Sequence, residues 1–185
     1  MIEGICTILG LIQGVLVAFN KRSNWIFYLR QMAGLFVFSL MNRLYGDMVN
    51  DAVYFVIGVV GLIRWGQEKH SRITSAGAKE RLIYSALIVA ATGILFVFLR
   101  TTDDPLPLLD AFTTVSSFAA TYYMMMKKLD AWIIWFINDI FYIAEYFMLP
   151  DKAILLGILN IVWTALAVYS FFRWRGNMMK DKVTE

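Results

Sequence analysis

The sequence predicts an all-α integral membrane protein of seven transmembrane helices in a 3+1+3 plan, two parallel three-helix repeats joined by one helix. Three observations predict it. Of the 185 residues, 59% are hydrophobic and the mean hydropathy is +0.62, more apolar surface than a soluble domain of this size buries. The apolar residues fall into seven runs of the length that crosses a bilayer. The basic residues collect on one side of the membrane those runs imply.

The runs are Ile2 to Phe19, Trp25 to Met41, Met48 to Trp65, Leu82 to Leu99, Leu106 to Met126, Trp132 to Leu149 and Ala153 to Phe172. Each approaches the roughly 20 residues that span 30 Å of hydrocarbon as a helix. The first is expected to be retained rather than cleaved, because it opens on Glu3, and Lys21 and Arg22 follow it instead of preceding it. Lys21, Arg22, Arg64, Lys69, Arg72, Lys79, Arg81, Lys127, Lys128, Arg173, Arg175, Lys180 and Lys182 fall on one side, against Arg43, Arg100 and Lys152 on the other, with Arg30 inside helix two. By the positive-inside rule the N-terminus is expected outside and the C-terminus in the cytoplasm. This distribution also removes the case for a nucleic-acid partner.

The polar stretch Gly66 to Lys79, GQEKHSRITSAGAK, reads as a solvated linker. It divides the chain into a first repeat (1–65), the linker with helix four (66–105), a second repeat (106–174) and a cytoplasmic tail (175–185). An offset of 107 aligns Lys21 with Lys128, Trp25 with Trp132, Tyr28 with Trp135 and Gln31 with Asn138. An offset of 109 aligns Asp51 with Asn160, Tyr54 with Trp163, Arg64 with Arg173 and Trp65 with Trp174. The matched positions are the polar and aromatic ones. A spacing of four helices gives both copies one orientation, the plan of small transporters whose site lies between repeats near the midplane.

Residues 131 to 146, AWIIWFINDIFYIAEY, carry Asn138, Asp139 and Glu145 within an otherwise apolar helix. At 100° per residue, Trp132, Asp139, Tyr146, Trp135, Tyr142, Asn138 and Glu145 share an arc of about 140°. An intramembrane acid costs several kcal/mol unless it lines a cavity or finds a partner. Asp139 is therefore read as a site residue, with an ion pair to Arg30 as the bland alternative. Helix three repeats the pattern with Asp47, Asn50, Asp51, Tyr54, Gly58, Gly61 and Trp65, helix seven with Asn160, Trp163, Thr164 and Ala167, and helix five with Asp110, Thr113, Thr114, Ser117 and Thr121. Gly10, Gly14, Gly58, Gly61, Thr113 and Ser117 are expected to be helix-packing residues, and Trp65 and Trp174 interfacial anchors. The expected substrate-binding set is Tyr28, Gln31, Asp51, Tyr54, Trp132, Trp135, Asn138, Asp139, Tyr142, Asn160 and Trp163. Rings interleaved with amides suit a flat heterocycle stacked between aromatic faces, and acidic neighbours favour a cationic one.

WIIW at 132 to 135 followed by Asn138, NIVW at 160 to 163, and the acidic starts of helices one and five resemble the PnuC family of bacterial vitamin transporters, over essentially the whole chain. The resemblance implies a 3+1+3 fold in the bacterial cytoplasmic membrane and a pocket lined by Trp132, Trp135, Asn138, Asn160 and Trp163, with Tyr28 and Gln31 as helix-two counterparts. It further implies facilitated diffusion without ATP or a coupling ion, and a cytosolic kinase that traps the substrate by phosphorylation. Nicotinamide riboside is the favoured substrate. Helix three, where DMVNDAVYF replaces a Glu- and Gln-containing stretch, keeps thiamine, riboflavin and deoxynucleosides in view.

A sugar uniporter of the same topology is the second reading. It would also use Trp and Asn but would show proline-rich first helices. An enzyme is not expected, since the lone His70 and Cys6 build neither a metal site nor a nucleophile motif. No P-loop pattern is present, so no nucleotide triphosphate is expected to bind by that route, and no cofactor is expected. Whether the chain forms a homo-oligomer is left open.

Overall fold

The computed structural model describes residues 2–43, 45–67, 72–148 and 154–183. Lys69, His70, Asp151 and Lys152, read above as loop residues, lie outside them, as do the side chains of Glu3, Asp47 and Lys182. These residues form seven helices in chain order: α1 (Ile2–Ala18), α2 (Asn24–Met41), α3 (Tyr45–Arg64), α4 (Ala78–Leu99), α5 (Pro107–Met125), α6 (Asp130–Met148) and α7 (Ile154–Val183). Among the described residues, the β-structure is an isolated parallel bridge between Thr74 and Lys128. At 1.5 Å per residue the first six helices are about 25 to 33 Å long, the thickness of a bilayer core.

α7 overruns its expected end by 11 residues, to Val183 instead of Phe172. Its added stretch, RWRGNMMKDKV, holds good helix formers and no proline, and the one glycine costs only about 1 kcal/mol. The segment expected as a separate tail therefore begins as a continuation of the helix.

α1 packs on α2, α2 on α3, α5 on α6 and α6 on α7, while smaller α1–α7 and α3–α5 contacts close the six into a ring. α4 stands outside and packs on α5. By length and hydropathy alone α4 is the one described helix that meets a spanning threshold, with a mean hydropathy of 2.5. The others are diluted by the polar residues they turn inward. The outer faces of the ring helices are apolar, with Ile8, Val56, Ile161 and Phe172 exposed, as are Leu87 and Ile94 of α4, while Asn24, Thr113, Ser116, Asn138 and Ser170 are fully or almost fully buried. A polar interior inside an apolar shell suits lipid as the surrounding solvent.

The two triplets use the same local devices. α1 ends with Asn20 at φ 54° and α5 with Lys127 at φ 53°, the left-handed conformation that closes a helix. The Asn20 amide donates to Val17 O and the Lys21 amide to Leu16 O, and 107 residues on, Lys127 donates to Met124 O and Lys128 to Tyr123 O. Trp25 stacks edge-on to Trp65 at 5.7 Å, and Trp132 edge-on to Trp174 at 5.3 Å.

The linker is not simply solvated. Residues 72–77 strap α4 to the α5–α6 corner, with Thr74 N donating to Lys127 O and Leu129 N to Thr74 O. Buried Asp130 accepts from the Ala76 amide at 2.7 Å, Ser75 Oγ at 3.1 Å and Arg81 Nε at 2.7 Å. Ile73 and Ala76 are buried beneath. Lys127 lies with its ammonium 4.5 Å over the Trp65 ring, and burial lowers its pKa. Arg81 is half exposed, so its ion pair contributes little. The larger cost of Asp130→Ala is the stranded Ala76 amide, about 1–3 kcal/mol. Asp130→Ala is thus expected to lower the apparent melting temperature in detergent, and Asp130→Asn, which keeps an acceptor, to lower it less; equal losses would contradict the amide's role.

Candidate functional site

The six-helix ring encloses a cavity of about 350 Å³, within the roughly 300–1,000 Å³ of small-molecule sites. Each helix of the ring contributes through residues at helical spacing: Gly10, Gln13 and Gly14 from α1, Tyr28 and Gln31 from α2, Asn50 and Tyr54 from α3. Thr114, Ser117 and Thr121 come from α5, Trp132, Trp135, Asp139 and Tyr142 from α6, and Asn160 and Trp163 from α7.

Nine of the eleven expected site residues line this cavity: Tyr28, Gln31, Tyr54, Trp132, Trp135, Asp139, Tyr142, Asn160 and Trp163. Asn138 and Asp51 do not, which corrects their expected placement. Asn138 is fully buried against α5, where its Oδ1 accepts from Ser116 Oγ at 2.7 Å. Asp51 turns toward α2 and accepts from Ser39 Oγ at 3.1 Å. Both sit on the polar arcs of their helices, at the edge that meets a neighbouring helix rather than the lumen. Glu145 likewise faces α5 and accepts from Thr113 Oγ1 at 3.2 Å.

The alternative for Asp139, a pair with Arg30, is not present. Arg30 is exposed on α2, whereas Asp139 is buried. Asp139 is 96% buried, at 4% relative exposure, on a wall otherwise made of indoles and phenols.

Two walls of different chemistry result. On one, the Tyr54 hydroxyl is 2.6 Å from Ser117 Oγ, and its ring stacks on Phe118 at 4.6 Å, so α5 holds the tyrosine through a hydroxyl and a ring. On the other, α1 places glycines where α5 has Ser117 and Thr121. A Cβ on Gly14 would lie 2.4 Å from the Trp163 ring, and one on Gly10 2.6 Å from Gln31 Nε2. Those glycines let Trp163 and Gln31 lie flat against α1.

The indole Nε1 atoms of Trp25, Trp132 and Trp135 are buried and have no hydrogen-bond partner among the described residues. All three residues line the cavity.

Sequence reasoning missed Gln13, which sits in a run otherwise read as apolar, and assigned Ser117 to packing alone. It noted Asn50, Thr114 and Thr121 on the right faces without placing them in the site. The signal for Gln13 was its spacing from Gly10 and Gly14 on one face of α1.

The family model described as "Nicotinamide mononucleotide transporter" matches residues 1–176. The chain belongs to this family, that of PnuC. It is thereby a multi-pass inner-membrane transporter and not an enzyme. Among its relatives, the nicotinamide riboside transporter PnuC of Neisseria mucosa is 24% identical over 187 residues, covering 94% of this chain and 71% of the relative. Among solved structures, the crystal structure of the vitamin B3 transporter PnuC superposes with a TM-score of 0.76 at 21% identity, covering 97% of this chain and 82% of that one. This PnuC-family member thus shares that transporter's fold.

Proposed function

We propose that the chain carries a nicotinamide riboside-like nucleoside across the membrane by facilitated diffusion, binding it in the central cavity. The single observation that carries this reading is that Trp132, Trp135, Trp163 and the buried Asp139 line one cavity. Indole faces and a carboxylate in a low-dielectric pocket favour a flat cationic ring. The amides of Gln13, Gln31, Asn50 and Asn160, with the hydroxyls of Ser117 and Thr121, suit a ribose. The N. mucosa relative's name points to the same substrate.

The corresponding helix ends at 20 and 127 and the paired Trp25–Trp65 and Trp132–Trp174 contacts support two three-helix repeats, 1–65 and 106–174, with 66–105 as connector. Transport then proceeds by one triplet rocking against the other around the cavity. The basic end of the bundle faces the cytoplasm in this reading, where a kinase would trap the product by phosphorylation.

Calorimetric titration of the purified protein with nicotinamide riboside, thiamine, riboflavin and deoxynucleosides tests the reading. Saturable binding of nicotinamide riboside is expected. Trp135→Ala should weaken it by about 1–3 kcal/mol, the scale of losing one stacking ring, or 5- to 150-fold. Binding of neutral nucleosides alone would transfer the acids to hydroxyl or base recognition, and binding of none, with sugar uptake instead, would defeat the proposal.

A further inference from the structure

We propose that Trp65 and Trp174 are the gate that closes the cavity toward the basic end of the bundle, each pinning one triplet of helices to the other. The sequence places them at helix ends, where a tryptophan is ordinarily an anchor at the lipid interface. The structure instead buries both, Trp174 completely and Trp65 to 6% exposure.

Their indole N–H groups cross between triplets. Trp65, at the end of the first triplet, donates to Met125 O at the end of α5, at 3.1 Å. Trp174, on the second, donates to Val17 O at the end of α1, at 3.0 Å. The two rings meet at 5.9 Å, and each also packs edge-on against a tryptophan of its own triplet, Trp25 or Trp132. Trp25 and Trp132 in turn line the cavity. Four indoles thus form a continuous layer between the cavity and the basic end.

Separation of the triplets at this end breaks both hydrogen bonds and the Trp65–Trp174 contact together, while each Trp25–Trp65 and Trp132–Trp174 pair moves as a unit. The carbonyls that accept these bonds lie in the last turn of α1 and of α5; Val17 O takes the Trp174 bond beside the one it accepts from the Asn20 amide at 2.8 Å. Midway along the bundle the triplets also touch through Tyr54 and Ser117, a contact near the cavity that can serve as the pivot. The inference rests on the chain being a transporter and is independent of which ligand it carries.

The test uses full-length protein in liposomes, with Cys6→Ser to remove the native thiol and Met124→Cys as reporter, since Met124 is buried and lines the cavity beside this layer. A membrane-impermeant maleimide is applied from one face or the other. With Trp65→Phe and Trp174→Phe combined, which keep an aromatic ring at each position but delete the N–H donor and part of the indole, labelling from the basic face is expected to rise about tenfold and labelling from the opposite face to fall. Each single variant should lie between. Unchanged labelling from the basic face would overturn the proposal, and so would faster labelling from both faces, which marks a loosened bundle instead of a shifted gate. Because no ligand is added, failure here is distinct from failure to bind nicotinamide riboside.

Discussion

Asp139→Asn is expected to cost at least tenfold, and up to about a thousandfold, in affinity for nicotinamide riboside, while leaving affinity for its neutral, reduced form within a few fold. A unit charge about 4 Å from a pyridinium at an effective dielectric near 20 is worth about 4 kcal/mol, and each 1.4 kcal/mol is tenfold. The lower limit reflects desolvation of both charges, which offsets part of the attraction. Asparagine keeps the shape and one acceptor, so a difference between the two ligands reports charge alone. Titration of both ligands against parent and variant is the measurement. Equal losses for the two would mean that Asp139 acts as a hydrogen-bond acceptor or positions the wall, and the cationic reading of the site would fall.

The second large effect is on folding. Gly61 packs α3 against α2, and a Cβ there would lie 2.5–2.7 Å from three atoms of the Trp25 ring. Trp25 has no room to yield: it is fully buried and held edge-on by Tyr28 at 5.4 Å and Trp65 at 5.7 Å. Overpacking of this kind costs about 1–3 kcal/mol, so Gly61→Ala should lower the apparent melting temperature, and Gly61→Leu should fail to give monodisperse protein. Gly93, on the outer helix α4, meets nothing within 4 Å, and Gly93→Ala should be neutral or slightly stabilising through helix propensity. Size-exclusion profiles and thermal scans of the three variants in one detergent decide it. Similar behaviour of Gly61→Ala and Gly93→Ala would contradict the packing argument.

The substitutions sample different links of one chain of cause. Gly61 admits Trp25, Trp25 supports the cavity floor and stacks on Trp65, and Trp65 reaches the opposite triplet. A defect at Gly61 should therefore lower binding as well as stability, whereas Asp139→Asn should change binding alone. Melting temperature measured beside affinity separates the two.

Much of this protein was determined by the sequence. Seven runs interrupted by charged and turn residues became seven helices, because in hydrocarbon each backbone polar group must find a partner within its own segment. The polar arcs on α3, α5, α6 and α7 pointed to most of the cavity wall, and the repeat offset added Tyr28 and Gln31 of α2, because a membrane helix has only one economical direction for such groups, away from lipid. What only the tertiary structure decided was where along an arc the lumen begins. Asn138 and Asp139 are neighbours separated by 100° on one helix. Both lie on the polar arc, yet one meets Ser116 of α5 and the other the cavity.

The same geometry moved Trp65 and Trp174 from an expected lipid interface to the buried seam between the triplets at the basic end of the bundle. A helix-end tryptophan reads identically in either place, and which one it occupies depends on what the other triplet sets opposite it. Gln13 entered the wall because Gly10 and Gly14 bring α1 close to α2 and α7. The linker 72–77 became a strap because Asp130 offers its carboxylate to the Ala76 amide from 54 positions away. Local pattern fixes which groups leave the lipid; their partners come from other helices, and contacts across such separations depend on packing that no single segment encodes.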